Sequence, residues 1–128
     1  MNLRRFNTEE KAELDVNENL IPNGIVDIST EQNTVTVLLS GKIDANNFQE
    51  IQKKAFELLD KHNTKHLIFN MKEVTYVSSA GLRMFSAVNQ KATENIISYK
   101  LIQMKESISK LFQLTGYASA FTIELLEE

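Results

Sequence analysis

The 128-residue chain contains no cysteine and only one proline. The absence of cysteine excludes disulfide bonds, thiolate catalysis and cysteine-ligated metal sites. No apolar run approaches the eighteen or so residues that a membrane-spanning helix requires, and the N-terminus MNLRRFNTEEK has no apolar stretch typical of a secretory signal. We therefore expect a cytoplasmic protein that makes no contact with a membrane.

Signatures of common enzyme and nucleic-acid chemistry are also missing. There is no P-loop pattern and no GxGxxG motif, and a net charge of −3 gives no electrostatic reason to bind nucleic acid. The two histidines, His62 and His66, straddle a predicted helix end and strand start, so they share no helix face and predict no metal site. We expect no enzyme activity, no cofactor and no direct contact with nucleic acid.

The length and composition indicate one soluble domain with a short extension. The apolar content is 42% and the charged content 24%, which is ordinary for a globular protein of this size. Residues 1–22 are polar and mixed in charge, and either a short helix over Glu9–Leu14 or a poorly ordered leader fits them. The Pro-Asn-Gly sequence at 22–24 ends this extension, and the domain is expected over residues 23–128.

The hydrophobic patterns predict the element order β-β-α-β-α-β-α-β. Strands are predicted at 25–28, 34–39, 66–71, 95–103 and 118–125, and helices at about 45–61, 79–92 and 107–115. The first two strands are typical of a hairpin, and the second and third can pair in parallel through a helical crossover. We expect Asp44 to cap the first helix and Gly116 to follow the third. The predicted fold is α/β, a mixed sheet of about five strands covered by helices.

The most informative stretch is TYVSSAGLRM, residues 75–84. It places Ser78 and Ser79 between a β-prone apolar run and a segment with helical spacing. A serine at this position can cap the helix by accepting a hydrogen bond from its first free N–H groups. Those N–H groups and the helix dipole also favour a bound or attached anion such as phosphate. Two interpretations follow, one in which the serines only cap the helix and one in which a hydroxyl is modified.

Two further residues of this stretch have more than one interpretation. Gly81 lies in the predicted first helical turn, where glycine costs about 1 kcal/mol relative to alanine. This cost indicates that the backbone is approached closely, either by a neighbouring element or by a partner protein. Arg83 is either a solvated surface residue or a cation beside a phosphate on this turn.

The segments LLSGKIDANNF, HLIFNMKEVTYVSSAGLRMF and KLFQLTGYASAFTI, in this order and spacing, resemble the STAS-domain family of anti-sigma factor antagonists. The resemblance runs from about Asn23 to about Glu124 and implies a small sheet with helices covering one face. In this family the serine two places before the motif glycine is phosphorylated by a partner kinase. Since the glycine here is Gly81, the resemblance assigns that role to Ser79.

The resemblance also implies partners. An unphosphorylated antagonist binds an anti-sigma factor that is also a serine kinase, and thereby frees a sigma factor. The kinase inactivates the antagonist by phosphorylating it, and a serine phosphatase restores it. Asp44 matches a family position on the kinase-facing surface, which leaves it with two possible roles, as a helix cap and as a contact residue. The expected partner-binding residues are Asp44, Ser78, Ala80, Gly81 and Arg83.

One departure from the family pattern concerns Ser78. Family members often have aspartate immediately before the phosphorylated serine, whereas serine here makes Ser78 a competing phosphorylation site. The second functional hypothesis is a STAS module that is not phosphorylated. It would serve as an accessory subunit, for example of a lipid-transport assembly, or bind a nucleotide. In either case we expect a monomer or a weak dimer.

Overall fold

A mixed five-stranded sheet carries the helices of the domain on one face. The structure, a computed structural model, describes residues 21–127, without the side chains of residues 117 and 118. The predicted extension, including the possible helix over Glu9–Leu14, therefore lies outside the described residues except for its last two positions. The elements are β1 (Ile25–Glu31), β2 (Thr34–Ile43), α1 (Phe48–Leu59), β3 (His66–Val77), α2 (Ser79–Glu94), β4 (Ser98–Met104), α3 (Glu106–Leu114), a 3-10 turn (Tyr117–Ala120) and β5 (Thr122–Leu125).

The strands lie side by side in chain order, β1-β2-β3-β4-β5. β1 and β2 form an antiparallel hairpin, and every later pair is parallel. A parallel neighbour requires a crossover, and α1, α2 and α3 supply the three crossovers. The predicted element order and the mixed sheet of about five strands are therefore confirmed.

The core lies between the sheet and the helices. Along β2, the side chains of Val35, Val37 and Leu39 are buried and alternate with half-buried ones, so one face of the sheet packs on the helices. Five aromatic rings form a closed circuit of edge-on or tilted contacts, with centroids 5.6–6.2 Å apart: Phe69, Phe85, Phe112, Phe121 and Tyr99. This circuit fixes α2 against the sheet, because Phe85 lies on that helix between Phe69 and Phe112.

Tyr99 belongs to this core rather than to a chemical site. Its hydroxyl donates to the backbone oxygen of Phe85 at 3.4 Å. Burial raises the pKa of the Tyr99 phenol well above its ordinary value, so the ring stays protonated and neutral.

β3 is longer than the sequence pattern indicated. The strand continues through Val77 instead of ending at Met71, because two irregularities in its pairing with β2 each give β3 one extra residue. The buried residues Met71, Val74 and Val77 consequently recur every third position. A search for strict alternation cannot recognise such a strand, so the prediction that it ended at Met71 was wrong.

The end of α2 carries a strained residue. The N–H of Ile96 donates to the Thr93 oxygen, and the N–H of Ile97 donates to the Ala92 oxygen. This pair of backbone hydrogen bonds defines a Schellman motif. The residue that follows the helix in such a motif adopts the left-handed conformation and is usually glycine. Here that position is Ile96, with φ of 58° and a side chain 90% exposed. A β-branched residue in this conformation costs roughly 1–2 kcal/mol and gains little from burial.

We expect Ile96→Gly to raise the free energy of unfolding by about 0.5–1 kcal/mol, because relief of the left-handed strain exceeds the added freedom of the unfolded chain. Urea denaturation followed by circular dichroism measures the change. Leu125→Gly, at an exposed strand position with ordinary φ, is the control and should lower stability. An Ile96→Gly protein less stable than the parent would contradict the strain argument.

Candidate functional site

The site lies where β2 and β3 extend past their neighbours. β1 pairs with β2 only as far as Leu39, and β4 pairs with β3 only as far as Asn70. The β2–β3 pair continues to Ile43 and Val77. Past Leu39 and Asn70, the ends of β2 and β3 are therefore paired mainly with each other. The turn between β3 and α2 follows directly at the end of this two-stranded extension. We call residues Ser78–Gly81 the serine turn.

The two serines of this turn have different structural roles. Ser78 is the N-cap of α2, and its hydroxyl accepts a hydrogen bond from the Gly81 N–H at 3.2 Å. Its backbone N–H donates to the Ile43 oxygen at 2.9 Å, which ties the turn to the end of β2. Ser79 is the first helical residue and is exposed. Within residues 21–127 its hydroxyl makes no hydrogen bond. The cap is thus Ser78, and the free hydroxyl is that of Ser79.

Gly81 explains why the helix begins so close to β2. A Cβ atom at Gly81 would lie 2.6 Å from the Ile43 oxygen and 2.9 Å from Cγ1 of Val77. The residue is buried. The sequence predicted that either a neighbouring element or a partner protein approaches this glycine closely. The neighbouring element accounts for it, since β2 leaves no room for a side chain.

The prediction that Asp44 caps the first helix was wrong. α1 begins at Phe48, and Asn47 occupies the N-cap position without a side-chain capping bond. Residues 44–47 instead form a turn that their own side chains stabilise. Asp44 Oδ1 accepts from the Asn46 N–H at 2.9 Å, and Asn47 Oδ1 accepts from the Asp44 N–H at 2.9 Å. The stretch Asp-Ala-Asn-Asn offers three residues able to cap, so the pattern alone could not choose among them.

Asp44 nevertheless lies beside the serine turn. It follows Ile43 directly, and the Ile43 oxygen accepts the Ser78 N–H. Its side chain is half-buried. The structure therefore brings Asp44 and Ser78 to the same end of the sheet.

Arg83 faces the same side of α2 as Ser79. The two residues are four apart on one helix, a spacing that brings Cβ atoms to about 5–6 Å. Arg83 is exposed, and no carboxylate in the described part of the chain forms an ion pair with it. Its guanidinium is thus available to an anion at Ser79.

Two residues near the turn were not identified from the sequence. Lys42 and Tyr76 lie opposite each other in the β2–β3 register, and both are exposed. Tyr76 is 46% exposed although the pattern indicated an apolar strand position. The bulges of β3 turn the Tyr76 side chain towards solvent. The only sign of this in the sequence is that Tyr76 and Val77 are adjacent, because neighbouring strand residues point to opposite faces.

The histidines lie far from the serine turn. His66 begins β3 and its Nδ1 contacts the Ser98 hydroxyl at 2.6 Å. A twelve-residue strand separates it from Ser79, which corresponds to roughly 35 Å. In residues 21–127, no group of three or more His, Cys, Asp or Glu residues could hold a metal ion. No helix over the same range has both the length and the apolar character to span a bilayer.

Comparisons with known proteins agree with this architecture. A model of the STAS domain family matches residues 26–128. The anti-sigma-B factor antagonist of Bacillus subtilis (strain 168) is 25% identical over 103 residues, covering 80% of this chain and 93% of that protein. The structure of the anti-sigma factor antagonist SpoIIAA in its unphosphorylated form superposes with a TM-score of 0.66 at 16% identity, covering 76% of this chain and 85% of that one.

A second solved structure, that of the Bacillus cell fate determinant SpoIIAA in its phosphorylated form, superposes with a TM-score of 0.61 at 16% identity. It covers 76% of this chain and 88% of that one. Because the family match spans most of the chain, the protein belongs to the STAS domain family. The predicted fold class and family are thereby confirmed.

Ser78→Ala and Ser79→Ala form a matched pair that separates the cap from the free hydroxyl. We expect Ser78→Ala to lower the free energy of unfolding by about 0.5–2 kcal/mol, because the Gly81 N–H loses its acceptor. Ser79→Ala should change it by less than about 0.5 kcal/mol. Urea denaturation of the two variants measures both values, and a larger loss for Ser79→Ala would show that the roles are reversed.

Gly81→Ala tests the contact between α2 and β2. In an exposed helix this substitution would stabilise the protein by about 1 kcal/mol. Here the added methyl group meets the backbone oxygen of Ile43, so we expect a loss of about 1–3 kcal/mol. Thermal or urea unfolding measures it, with Ser86→Ala, at a half-buried position of the same helix, as the control for propensity. A stability gain in Gly81→Ala would rule out the close approach.

Proposed function

We propose that this protein is an anti-sigma factor antagonist whose serine turn binds an anti-sigma factor that is also a serine kinase. Binding frees a sigma factor, phosphorylation of Ser79 ends the binding, and a serine phosphatase reverses the modification. The single observation that carries the proposal is the exposed Ser79 hydroxyl at the first position of α2, beside a residue that already caps the helix.

The geometry of the helix start suits a phosphate on Ser79. Phosphorylation adds about −1.5 to −2 charges and three acceptor oxygens. The first N–H groups of a helix have no partner within the helix, and the dipole there favours an anion. Ser78 Oγ engages only the Gly81 N–H, and Arg83 lies one turn along the same face. A phosphate at this position would therefore be accommodated without unfolding the domain.

The same modification would obstruct a tightly packed partner. Before modification, Ser78, Ser79 and Ala80 present a small neutral surface against which another backbone can pack closely. A phosphate adds bulk and a charge whose desolvation in an interface is costly. Asp44 and Arg83 flank this surface as contact residues. Gly81 contributes from beneath, by holding the turn against β2.

The relatives support this proposal. The Bacillus subtilis relative is an anti-sigma factor antagonist, and SpoIIAA has been solved both without and with its phosphate. The accessory-subunit and nucleotide-binding alternatives draw no support from a specific contact in the described residues. Cytoplasmic location and a monomeric or weakly dimeric state remain predictions.

Intact mass spectrometry of the protein from its native host tests the modified residue. We expect one phosphate that phosphatase removes, that Ser79→Ala abolishes, and that Ser78→Ala leaves in place, because the Ser78 hydroxyl is engaged in the cap. A phosphate that persists in Ser79→Ala and disappears in Ser78→Ala would move the site to the competing serine.

Affinity for the partner tests the switch. A serine kinase captured by the wild-type chain is purified, and its Kd is measured for Ser79→Ala and Ser79→Asp. We expect Ser79→Ala to bind within about threefold of wild type, and Ser79→Asp to bind at least about tenfold more weakly, a loss of about 1.4 kcal/mol. Asp60→Asn, an exposed site at the end of α1, is the control. Equal affinity of both Ser79 variants would contradict the proposal.

A further inference from the structure

The outer edge of β3 is open beside the serine turn. β3 runs to Val77, but β4 pairs with it only as far as Asn70. The Lys72 N–H donates to the side-chain oxygen of Asn70 at 3.0 Å. Within the described part of the chain, residues 73–77 form no backbone hydrogen bond on the side away from β2. Three of these five residues are exposed, so nothing described covers this side. We call residues 73–77 the β3 edge.

The corresponding edge of β2 is closed by the chain itself. The Ser40 N–H donates to the Gly24 oxygen at 2.8 Å. The side-chain amide of Asn47 donates to the Lys42 oxygen at 2.9 Å. Both bonds lie past Leu39, where the pairing of β2 with β1 ends. Of the two strands that extend to the serine turn, β3 therefore has the longer run of backbone donors and acceptors that no other described residue uses.

Tyr76 gives the β3 edge an aromatic side chain. It is 46% exposed, whereas the other aromatic side chains that the structure describes are buried or half-buried. Over residues 21–127, its ring belongs to none of the aromatic contacts and its hydroxyl makes no hydrogen bond. Tyrosine is enriched among the residues that dominate protein interfaces, because it combines a large apolar surface with a polar tip. Tyr76 therefore marks the β3 edge as a binding surface.

The free edges of β1 and β5 differ from the β3 edge. Neither strand has an aromatic residue, and both carry carboxylates: Asp27, Glu31 and Glu124. Charged side chains commonly protect a sheet edge from other strands. In the β3 edge the one carboxylate, Glu73, lies at the end away from the serine turn. Val77 at the other end is two residues from Ser79, so a strand paired with it lies within roughly 12 Å of Ser79.

We propose that the anti-sigma factor partner adds an extended segment to the β3 edge, with the Tyr76 side chain as the anchor of that contact. The inference rests on the proposed function and extends it, by assigning the partner a second contact and a backbone conformation. A strand edge selects an extended peptide, because such a peptide presents its N–H and C=O groups at strand spacing. Cross-strand contacts then pack the Tyr76 ring against side chains of the added segment. The pairing holds the partner over Ser79, where the proposed phosphate would obstruct it.

Amide hydrogen exchange in the complex tests the strand addition. The serine kinase captured by the wild-type chain is purified, and exchange in isotope-labelled chain is followed by NMR with and without it. We expect the outward-facing amides of residues 73–77 to exchange rapidly in the free chain and at least tenfold more slowly in the complex. The outward-facing amides of β1, on the other edge of the sheet, are the control and should keep their rates.

Two exchange results would overturn the inference. Protection of residues 78–83 without protection of residues 73–77 would remove the strand addition and leave the proposed function intact. Protection of residues 73–77 in the chain alone, rising with its concentration, would assign the edge to a second copy of the chain. Capture of no serine kinase would instead refute the proposed function, and this inference with it.

Affinity of Tyr76 variants for the same kinase tests the anchor. We expect Tyr76→Ser to raise the Kd at least tenfold and Tyr76→Phe to keep it within about threefold, because the ring supplies most of the contact area. Leu125→Ser, at a 52% exposed apolar position of β5, is the matched control and should also bind within about threefold of wild type. Wild-type affinity in a folded Tyr76→Ser chain would overturn the anchor. The exchange experiment uses the unmodified chain, so it decides the question even if this variant does not fold.

Discussion

The site depends on the close contact between the first turn of α2 and the last residue of β2. The Ile43 oxygen accepts the Ser78 N–H and lies where a side chain at Gly81 would have to be. This contact fixes the position of the first turn of α2 relative to the end of β2. The aromatic circuit through Phe85 holds the rest of α2 against the sheet. The proposed phosphate on Ser79 would therefore require no rearrangement of the domain, because the surroundings of this helix start are set by backbone contacts.

Two adjacent serines would allow the chain to separate helix capping from the proposed regulation. Ser78 satisfies the Gly81 N–H, so the helix has its cap whatever happens to Ser79. In the proposed function, a phosphate on Ser79 would add charge at a point where the helix dipole and Arg83 both favour it. The turn that contains Asp44 borders this surface. The side chains of Asp44 and Asn47 stabilise it, together with the Phe48 N–H at the start of α1, which donates to the Asp44 oxygen.

The sequence predicted the order and type of every strand and α-helix in the described residues, because hydrophobic spacing and turn residues were consistent with each other along most of the chain. The 3-10 turn Tyr117–Ala120 was missed, because the predicted last strand, 118–125, covers most of it and the observed strand begins only at Thr122. The helix start at Ser79 was also predictable, since a capping residue stands directly before a helical pattern. Features that depend on contacts between residues distant in sequence could not be predicted. The bulges of β3 depend on its register with β2. The sequence pattern therefore predicts a strand end at Met71 and does not identify Tyr76 as exposed. Which of Asp44, Asn46 and Asn47 occupies the N-cap position of α1 depends on hydrogen bonds made by the side chains of Asp44 and Asn47. Residue preferences for the N-cap position do not distinguish among the three.

The most direct measurement of the central claim is a phosphorus NMR titration of the protein phosphorylated on Ser79. The second pKa of a phosphoserine is ordinarily about 6. If the phosphate lies at the start of α2 beside Arg83, the dianion is stabilised and this pKa falls below its ordinary value, and Arg83→Gln brings it part of the way back. A pKa at or above the ordinary value, unchanged in Arg83→Gln, would contradict the claim that this helix start accommodates the charge.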